Sequence, residues 1–380
     1  MKLGQMLSLH SGGLGEEWSK AFGEMKNKGD CMSFEELNTE LNLTYSSTLL
    51  PSSSTLSPPV PGIKTLEPKP IYAGSIGQVH VAKGEDGGFL AVKVRYPGIA
   101  DTVISDLDNL NTLINVVNVV PEGVFIDNII EEGKAEVIKE CSYKIELENH
   151  KRYIELIKSD DELVKMGFYV PKIMEELCGD NIIVSEWFHG VTIEEVQAGH
   201  KESDRICEGL MRLTFLELFK WRFSQTDPNP GNFLWDEREG KVGLIDFGGC
   251  REYDKEWMKD YFSIVNAASL GDAATVEERS FELGFLSSKD SRKMIDAHVE
   301  GAMILGEPFR GGKYDFKEGK VTQRIGEVAK VFAKERKTPP PRNVYTIHRK
   351  MAGAFETVAR LNGKAGGREI LEEAQEWIHL

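Results

Sequence analysis

The sequence predicts an α+β chain of two lobes. A β-rich N-lobe precedes a mainly helical C-lobe, and a helical extension is added at the N-terminus. Three observations carry this. Two β-rich runs, 77–82 and 89–94, flank the turn signal Glu85-Asp86-Gly87-Gly88. Helical periodicity fills about 101–156 and most of the chain beyond about 256. Between these lies a short strand pair within 171–187, turning at Cys178-Gly179-Asp180-Asn181.

Taken in order, residues 1–44 read as the extension, with Trp18, Phe22, Met25, Phe34, Leu37 and Leu41 at helical spacing. Residues 45–69 read as a flexible linker, because 45–61 is dense in Ser, Thr and Pro. The N-lobe, with inserted helices, spans 70–188, and the C-lobe 189–380. Residues 203–223 read as one long helix, apolar nearly all round and therefore buried. Strand signals return at 233–236 and 242–245, and Thr338-Pro339-Pro340-Pro341 interrupts the later helices.

Composition excludes several classes. The net charge of -15 speaks against nonspecific nucleic-acid binding, which needs a basic face. Five scattered cysteines, none in a CxxC pair, speak against a disulfide framework or zinc site. No apolar run reaches the roughly 18 residues that cross a bilayer, and no secretory or targeting segment is expected in this chain.

The chemistry concentrates in one stretch. Asp227-Pro228-Asn229-Pro230-Gly231-Asn232 follows the buried helix, and Asp246-Phe247-Gly248 begins 19 residues beyond Asp227. Phosphoryl transfer needs a carboxylate near the attacking hydroxyl, an amide oxygen on the metal and a second carboxylate bridging metal and phosphates. Asp227, Asn232 and Asp246 have the types and spacing for those tasks, as in a bilobal protein-kinase-like fold. The implied cofactors are ATP and Mg2+, with Asn232 and Asp246 as metal ligands.

Lys93 closes an apolar strand, which alone would suggest a solvated edge residue. Upstream, however, Tyr72-Ala73-Gly74-Ser75-Ile76-Gly77 carries glycines spaced as in a phosphate loop. Backbone N–H groups of such a loop approach phosphates, and the lysine reaches the same groups. Lys93 then needs a carboxylate. A helix over about 135–150 offers Glu140 and Glu146, whose side chains on one continuous helix point about 120° apart. Residues 184–191 fall where a hinge would sit, and there the backbone of Glu186 and Phe188 would bond the adenine edge.

Three features depart from an ordinary protein kinase. Gln225-Thr226-Asp227 replaces His-Arg-Asp, so the arginine that grips a phosphorylated loop is missing. No Ala-Pro-Glu follows Gly248, and helix resumes within about ten residues, which removes a peptide platform. The stretch from Lys93 to Glu146 is also long.

With these departures the chain resembles the UbiB family of atypical kinase-like proteins. Lys2-Leu3-Gly4-Gln5 is similar to its Lys-x-Gly-Gln motif, and residues 73–80 to its alanine-rich nucleotide loop. Glu140-Cys141-Ser142 stands where the family has Glu-x-Asp. Residues 225–233 resemble its catalytic loop, and Tyr345-Thr346-Ile347-His348-Arg349-Lys350 the C-terminal stretch of the coenzyme Q branch. The resemblance implies that Glu146 pairs with Lys93, and that Glu140 meets Lys2 and Gln5 of an extension folded over the site. It also implies ATP hydrolysis, or phosphorylation of a lipid or quinone precursor. The setting it implies is ubiquinone biosynthesis at the matrix side of the mitochondrial inner membrane, with a peripheral membrane surface and a biosynthetic complex as partners.

Two positions depart from the family pattern. Ser142 replaces Asp. Gly74 replaces alanine, permits close backbone approach and positive φ, and is expected to favour nucleotide binding. Two further functions remain: a small-molecule kinase of the aminoglycoside or choline type, and a nucleotide-binding scaffold without turnover.

Overall fold

The computed structural model describes residues 31–51, 53–117 and 122–379. Lys2 and Gln5, and the helical spacing of Trp18, Phe22 and Met25, lie outside the described residues. Helices are numbered from the first described one, α1 (Phe34–Tyr45). Ser33 and Glu36 close its start as a reciprocal capping box, and Leu37 and Leu41, one turn apart, are fully buried.

The expected linker is folded instead. Strands β1 (Thr48–Leu49) and β2 (Leu56–Ser57) pair antiparallel. Leu49, Leu56 and Val60 are buried in the same core as Leu37 and Leu41. The polar residues that suggested flexibility satisfy the backbone locally, as where the Ser47 hydroxyl donates to the Pro58 carbonyl at 2.5 Å. A few well-spaced apolar residues opposite a helix were enough to outweigh the Ser/Thr/Pro composition.

The N-lobe sheet contains β3 (Ile63–Leu66), β4 (Tyr72–Ala73), β5 (Gly77–Gly84) and β6 (Phe89–Arg95). After β6 come α2 (Ile99–Val117), α3 (Ile126–Glu140), α4 (Tyr143–Lys158), α5 (Asp161–Lys165) and β7 (Phe168–Tyr169). Strand β8 (Ile182–Glu186) then completes the sheet in the order β3-β5-β6-β8, with β4 on β5. Alternation along β6 buries Leu90, Val92 and Val94 in the lobe core and turns Lys93 to the opposite face. The register places Lys93 between Val79 and Ile183.

The helix expected over 135–150 is broken into two. Ser142 adopts an extended conformation (φ -97, ψ 97) and its hydroxyl caps the start of α4. A capping serine offers the backbone an alternative to continuing the helix. Glu140 therefore ends one helix and Glu146 opens the next, and the angle expected for a continuous helix does not apply.

In the C-lobe, β9 (Val191–Thr192) precedes α6 (Ser203–Phe215), which widens into a π-helical turn over Leu216–Lys220. The expected helix over 203–223 thus stops short, and β10 (Phe223–Gln225) leads into the Asp227 loop. Strands β11 (Phe233–Asp236), β12 (Lys241–Leu244) and β13 (Cys250–Glu252) follow. One sheet runs β7-β12-β11-β9, and β10 pairs with β13. Helices α7 (Lys255–Leu270), α8 (Ala273–Glu282) and α9 (Arg292–Gly306) come next. The chain then continues through β14 (Tyr314–Asp315), α10 (Phe316–Gly319), α11 (Val321–Glu335), α12 (Arg342–Leu361), β15 (Lys364–Ala365) and α13 (Arg368–Trp377). One large apolar core unites these elements. Among the described residues no helix is long and apolar enough to cross a membrane.

A charged group lies inside this core. Glu217, on the π-helical turn, is fully buried and meets Lys350 of α12 at 2.6 Å. The Tyr153 hydroxyl donates to the same carboxylate at 2.8 Å and Ser224 at 3.1 Å. Removing one member of such a pair strands the other charge. Lys350→Met is expected to lower the unfolding free energy by about 3–5 kcal/mol in urea titrations. Adding Glu217→Gln should recover more than half of the loss.

Candidate functional site

The site lies where one face of α4 meets both lobes. Lys93 reaches across from β6, and its Nζ is 2.6 Å from Glu146 Oε1 and 3.3 Å from Asp246 Oδ2. Its side chain is 17% exposed and that of Glu146 only 3%, so the pair is largely dry but open on the Asp246 side. Burial alone would lower the Lys93 ammonium. Asp246 and Glu146 outweigh burial and hold it well above the usual lysine range. The centroid of the Tyr143 ring stands 5.4 Å from Lys93 Nζ and 5.9 Å from the Arg95 guanidinium.

Asp246 is oriented by its own turn, with the Gly248 N–H donating to Oδ1 at 3.0 Å. Helix α4 holds the neighbouring residues. Asn149 donates to the Phe247 carbonyl at 2.9 Å. His150 packs on the buried Phe247 ring, as does Tyr153, with centroids 4.6 and 4.8 Å away. Glu146, Asn149, His150 and Tyr153 are spaced i, i+3, i+4, i+7, so one stripe of a helix carries all four.

Glu140 packs against the glycines that follow. A Cβ on Gly249 would stand 2.9 Å from Glu140 Oε1, and one on Gly248 would stand 3.5 Å from Glu146 Oε2. Both carboxylates thus face the Asp246-Phe247-Gly248-Gly249 turn.

The opposite wall is the loop carrying Asp227 and Asn232. The Asn232 amide N–H2 donates to the Asp227 carboxylate and carbonyl, each at 3.3 Å. That orientation turns the Asn232 amide oxygen away from Asp227, where it could serve a cation. Among the described residues no cluster of three or more His, Cys, Asp or Glu forms a metal cage. An amide oxygen and one carboxylate, completed by phosphate and water oxygens, suit Mg2+ rather than zinc. The residues present therefore fit Mg-ATP.

The loop expected to cradle phosphates is the β4–β5 connection. The Gly74 N–H donates to the Gly77 carbonyl at 2.8 Å. A Cβ on Gly77 would lie 2.4 Å from the Val94 carbonyl and 2.7 Å from the Tyr143 hydroxyl, so only glycine fits. Gly74 differs from expectation. It does not adopt positive φ, and a Cβ there would meet neighbours at an ordinary 3.4 Å. Backbone strain is therefore no reason for glycine at 74. At the hinge, the Glu186 N–H already donates to the Lys172 carbonyl at 2.7 Å. Its carboxylate accepts from Tyr169 and from the Lys172 N–H. The Phe188 ring stacks on Tyr169 with centroids 6.1 Å apart.

Several residues around the site escaped sequence reasoning. Arg349 on α12 donates from Nε to the Thr226 carbonyl at 2.9 Å and from Nη2 to Glu136 of α3 at 2.6 Å. Lys350 is the next residue, and its signal was readable: it is a cation within the apolar stripe of an amphipathic helix. Tyr153 also accepts the Gln225 N–H at 2.6 Å.

Two outcomes follow from this geometry. Gly77→Ala is expected to lower Tm and abolish Mg-ATP binding, whereas Gly74→Ala should leave Tm unchanged; thermal melts with and without nucleotide check both. The His150 ring, pushed down to about 4 by burial against the bond to the Pro171 carbonyl, is neutral in the fold. Its folded value lies below the unfolded 6.5, so its contribution is complete above pH about 6.5 and lost as pH falls toward 4. Urea titrations across that window should show stability falling, with a shallower fall in His150→Gln.

The chain is similar to known proteins over most of its length. The ABC1 atypical kinase-like domain matches residues 58–280. The mitochondrial atypical kinase COQ8B of Danio rerio is 35% identical over 373 residues, covering 97% of this chain and 57% of that protein. COQ8B of Rattus norvegicus is 35% identical over 380 residues, covering 98% and 68%. Mitochondrial COQ8 of Saccharomyces cerevisiae is 35% identical over 308 residues, covering 80% and 60%. The chain thus spans between about half and two thirds of the length of these relatives. Rv3197 of Mycobacterium tuberculosis, solved in complex with erythromycin, has a TM-score of 0.65 at 19% identity. That match covers 98% of this chain and 91% of Rv3197, and it shows a shared fold. A domain match over more than half of the chain, with this identity to relatives, shows that the chain belongs to the ABC1 atypical kinase-like family.

Proposed function

We propose that this chain is an atypical kinase or ATPase that binds Mg-ATP and serves coenzyme Q biosynthesis at the matrix side of the mitochondrial inner membrane. The observation that carries the reading is the ion pair of Lys93 and Glu146, with Asp246 at 3.3 Å on its open side. That is the arrangement phosphoryl transfer requires of its lysine, glutamate and metal-binding aspartate. In this reading Lys93 holds the α- and β-phosphates, while Asn232 and Asp246 hold the metal. Asp227 orients the attacking hydroxyl or water. Backbone N–H groups of Ala73, Gly74, Ser75 and Gly77 line the phosphates. The Glu186 carbonyl and the Phe188 N–H meet the adenine edge. Bound Mg2+ would neutralise charge developing on the phosphate oxygens.

A lipid or small-molecule acceptor suits the site better than a protein. Helix α7 begins at Lys255, seven residues after Gly248, which leaves little chain to form a peptide platform.

Magnesium-dependent ATP hydrolysis by the wild type and by Asp246→Asn tests the reading. The substitution is expected to lower kcat by about 100-fold or more, the equivalent of about 3 kcal/mol of transition-state stabilisation. Equal rates in the two proteins would remove the catalytic assignment. Nucleotide binding without turnover in the wild type would favour a scaffold.

A further inference from the structure

We infer that Arg349 is the positioning residue of the Asp227 loop, and that its pairing with Glu136 holds this loop in its working geometry without phosphorylation. The inference rests on the Mg-ATP reading above and adds a residue that reading does not use.

Thr226, immediately before Asp227, is fixed from two sides. Its N–H and its hydroxyl both donate to the Gly249 carbonyl, at 2.6 and 3.0 Å. Its own carbonyl accepts Arg349 Nε at 2.9 Å. The residue before one site carboxylate is thereby tied to the residue three beyond the other, Asp246. Arg349 Nη2 contacts both oxygens of Glu136, at 2.6 and 2.7 Å. The side chains of Arg349 and Glu136 are only 7% and 14% exposed, so the pair is little screened by water. Helix α12 reaches the loop because Gly353 has no side chain; a Cβ there would lie 2.1 Å from Pro228 Cβ.

Kinases switched by phosphorylation order their loops when an arginine meets a phosphate. Here the residue before Asp227 is Thr226, the arginine comes from another helix, and the anion it meets is a permanent carboxylate. Glu136 lies on α3, one turn before Glu140. The bond from Arg349 therefore also ties the inserted helices to the catalytic loop. A lysine at 349 would carry all its donors on one nitrogen and could not span the carbonyl and the carboxylate as Nε and Nη2 do.

The test compares Arg349→Lys, Glu136→Gln and the control Arg342→Ala with the wild type. Arg342 and Glu131 form a second, exposed pair between the same two helices. Steady-state ATP hydrolysis is measured together with hydrogen exchange of the amides at 226–232. Arg349→Lys and Glu136→Gln are expected to lower kcat about 10- to 100-fold, with KM for ATP within about twofold. Exchange at 226–232 should quicken by about tenfold or more in both. Arg342→Ala should change neither. Unchanged kcat in both variants, or an equal loss in Arg342→Ala, would overturn the inference. Should the wild type lack turnover, the Mg-ATP reading fails on its own. Exchange then decides: undisturbed protection at 226–232 in Arg349→Lys or Glu136→Gln defeats the inference, and selective loss in both sustains it.

Discussion

A carboxylate with no access to water must be neutralised and hydrogen-bonded, and Glu217 imposes that demand at the centre of the C-lobe. Lys350 supplies the charge, and Tyr153 and Ser224 supply donors. Those three groups come from α12, α4 and β10, so satisfying one carboxylate brings three distant segments to one point. The same Tyr153 hydroxyl accepts the Gln225 N–H. The strand that leads into Asp227 is therefore seated by the buried anion itself.

Helix α4 carries this order outward. Its stripe of Glu146, Asn149, His150 and Tyr153 touches, in turn, Lys93, the Phe247 carbonyl, the Phe247 ring and Glu217. A rigid helix sets those four contacts at fixed spacings, so the lysine of one lobe and the aspartate of the other cannot drift independently. Desolvation then raises the worth of each contact, because the Lys93–Glu146 pair is screened by little water. The opposing charges outweigh burial at Lys93, which keeps the ammonium charged.

Local patterns were legible wherever chemistry and periodicity agreed. The hairpin of β5 and β6 followed from two β-rich runs and from the turn at Glu85–Gly88. Asp227, Asn232 and Asp246 were singled out by residue type and spacing, and the Ile245 N–H donates to the Asn232 carbonyl at 3.1 Å, which brings their two segments together. The break at Ser142 was missed because one capping hydroxyl decides between a continuous helix and two helices. The folded segment at 45–69 was missed because composition describes a segment alone, whereas Leu49 and Leu56 are held by a helix outside it. The grip of Arg349 on Thr226 joins residues 123 positions apart, and no local window contains both. At Gly74 the conformational freedom that glycine permits is left unused, since the loop does not adopt positive φ there.

The close approach of Gly353 to Pro228 has a temporal consequence. The loop bearing Asp227 precedes α12 by more than a hundred residues, yet α12 supports it. The N-lobe sheet can form from near neighbours, whereas the Asp227 loop gains this support only when residues 349–353 pack on it. Contacts of such sequence separation form late and slowly. A chain cut before residue 349 would therefore keep every residue of the Asp227 loop and lose what holds it.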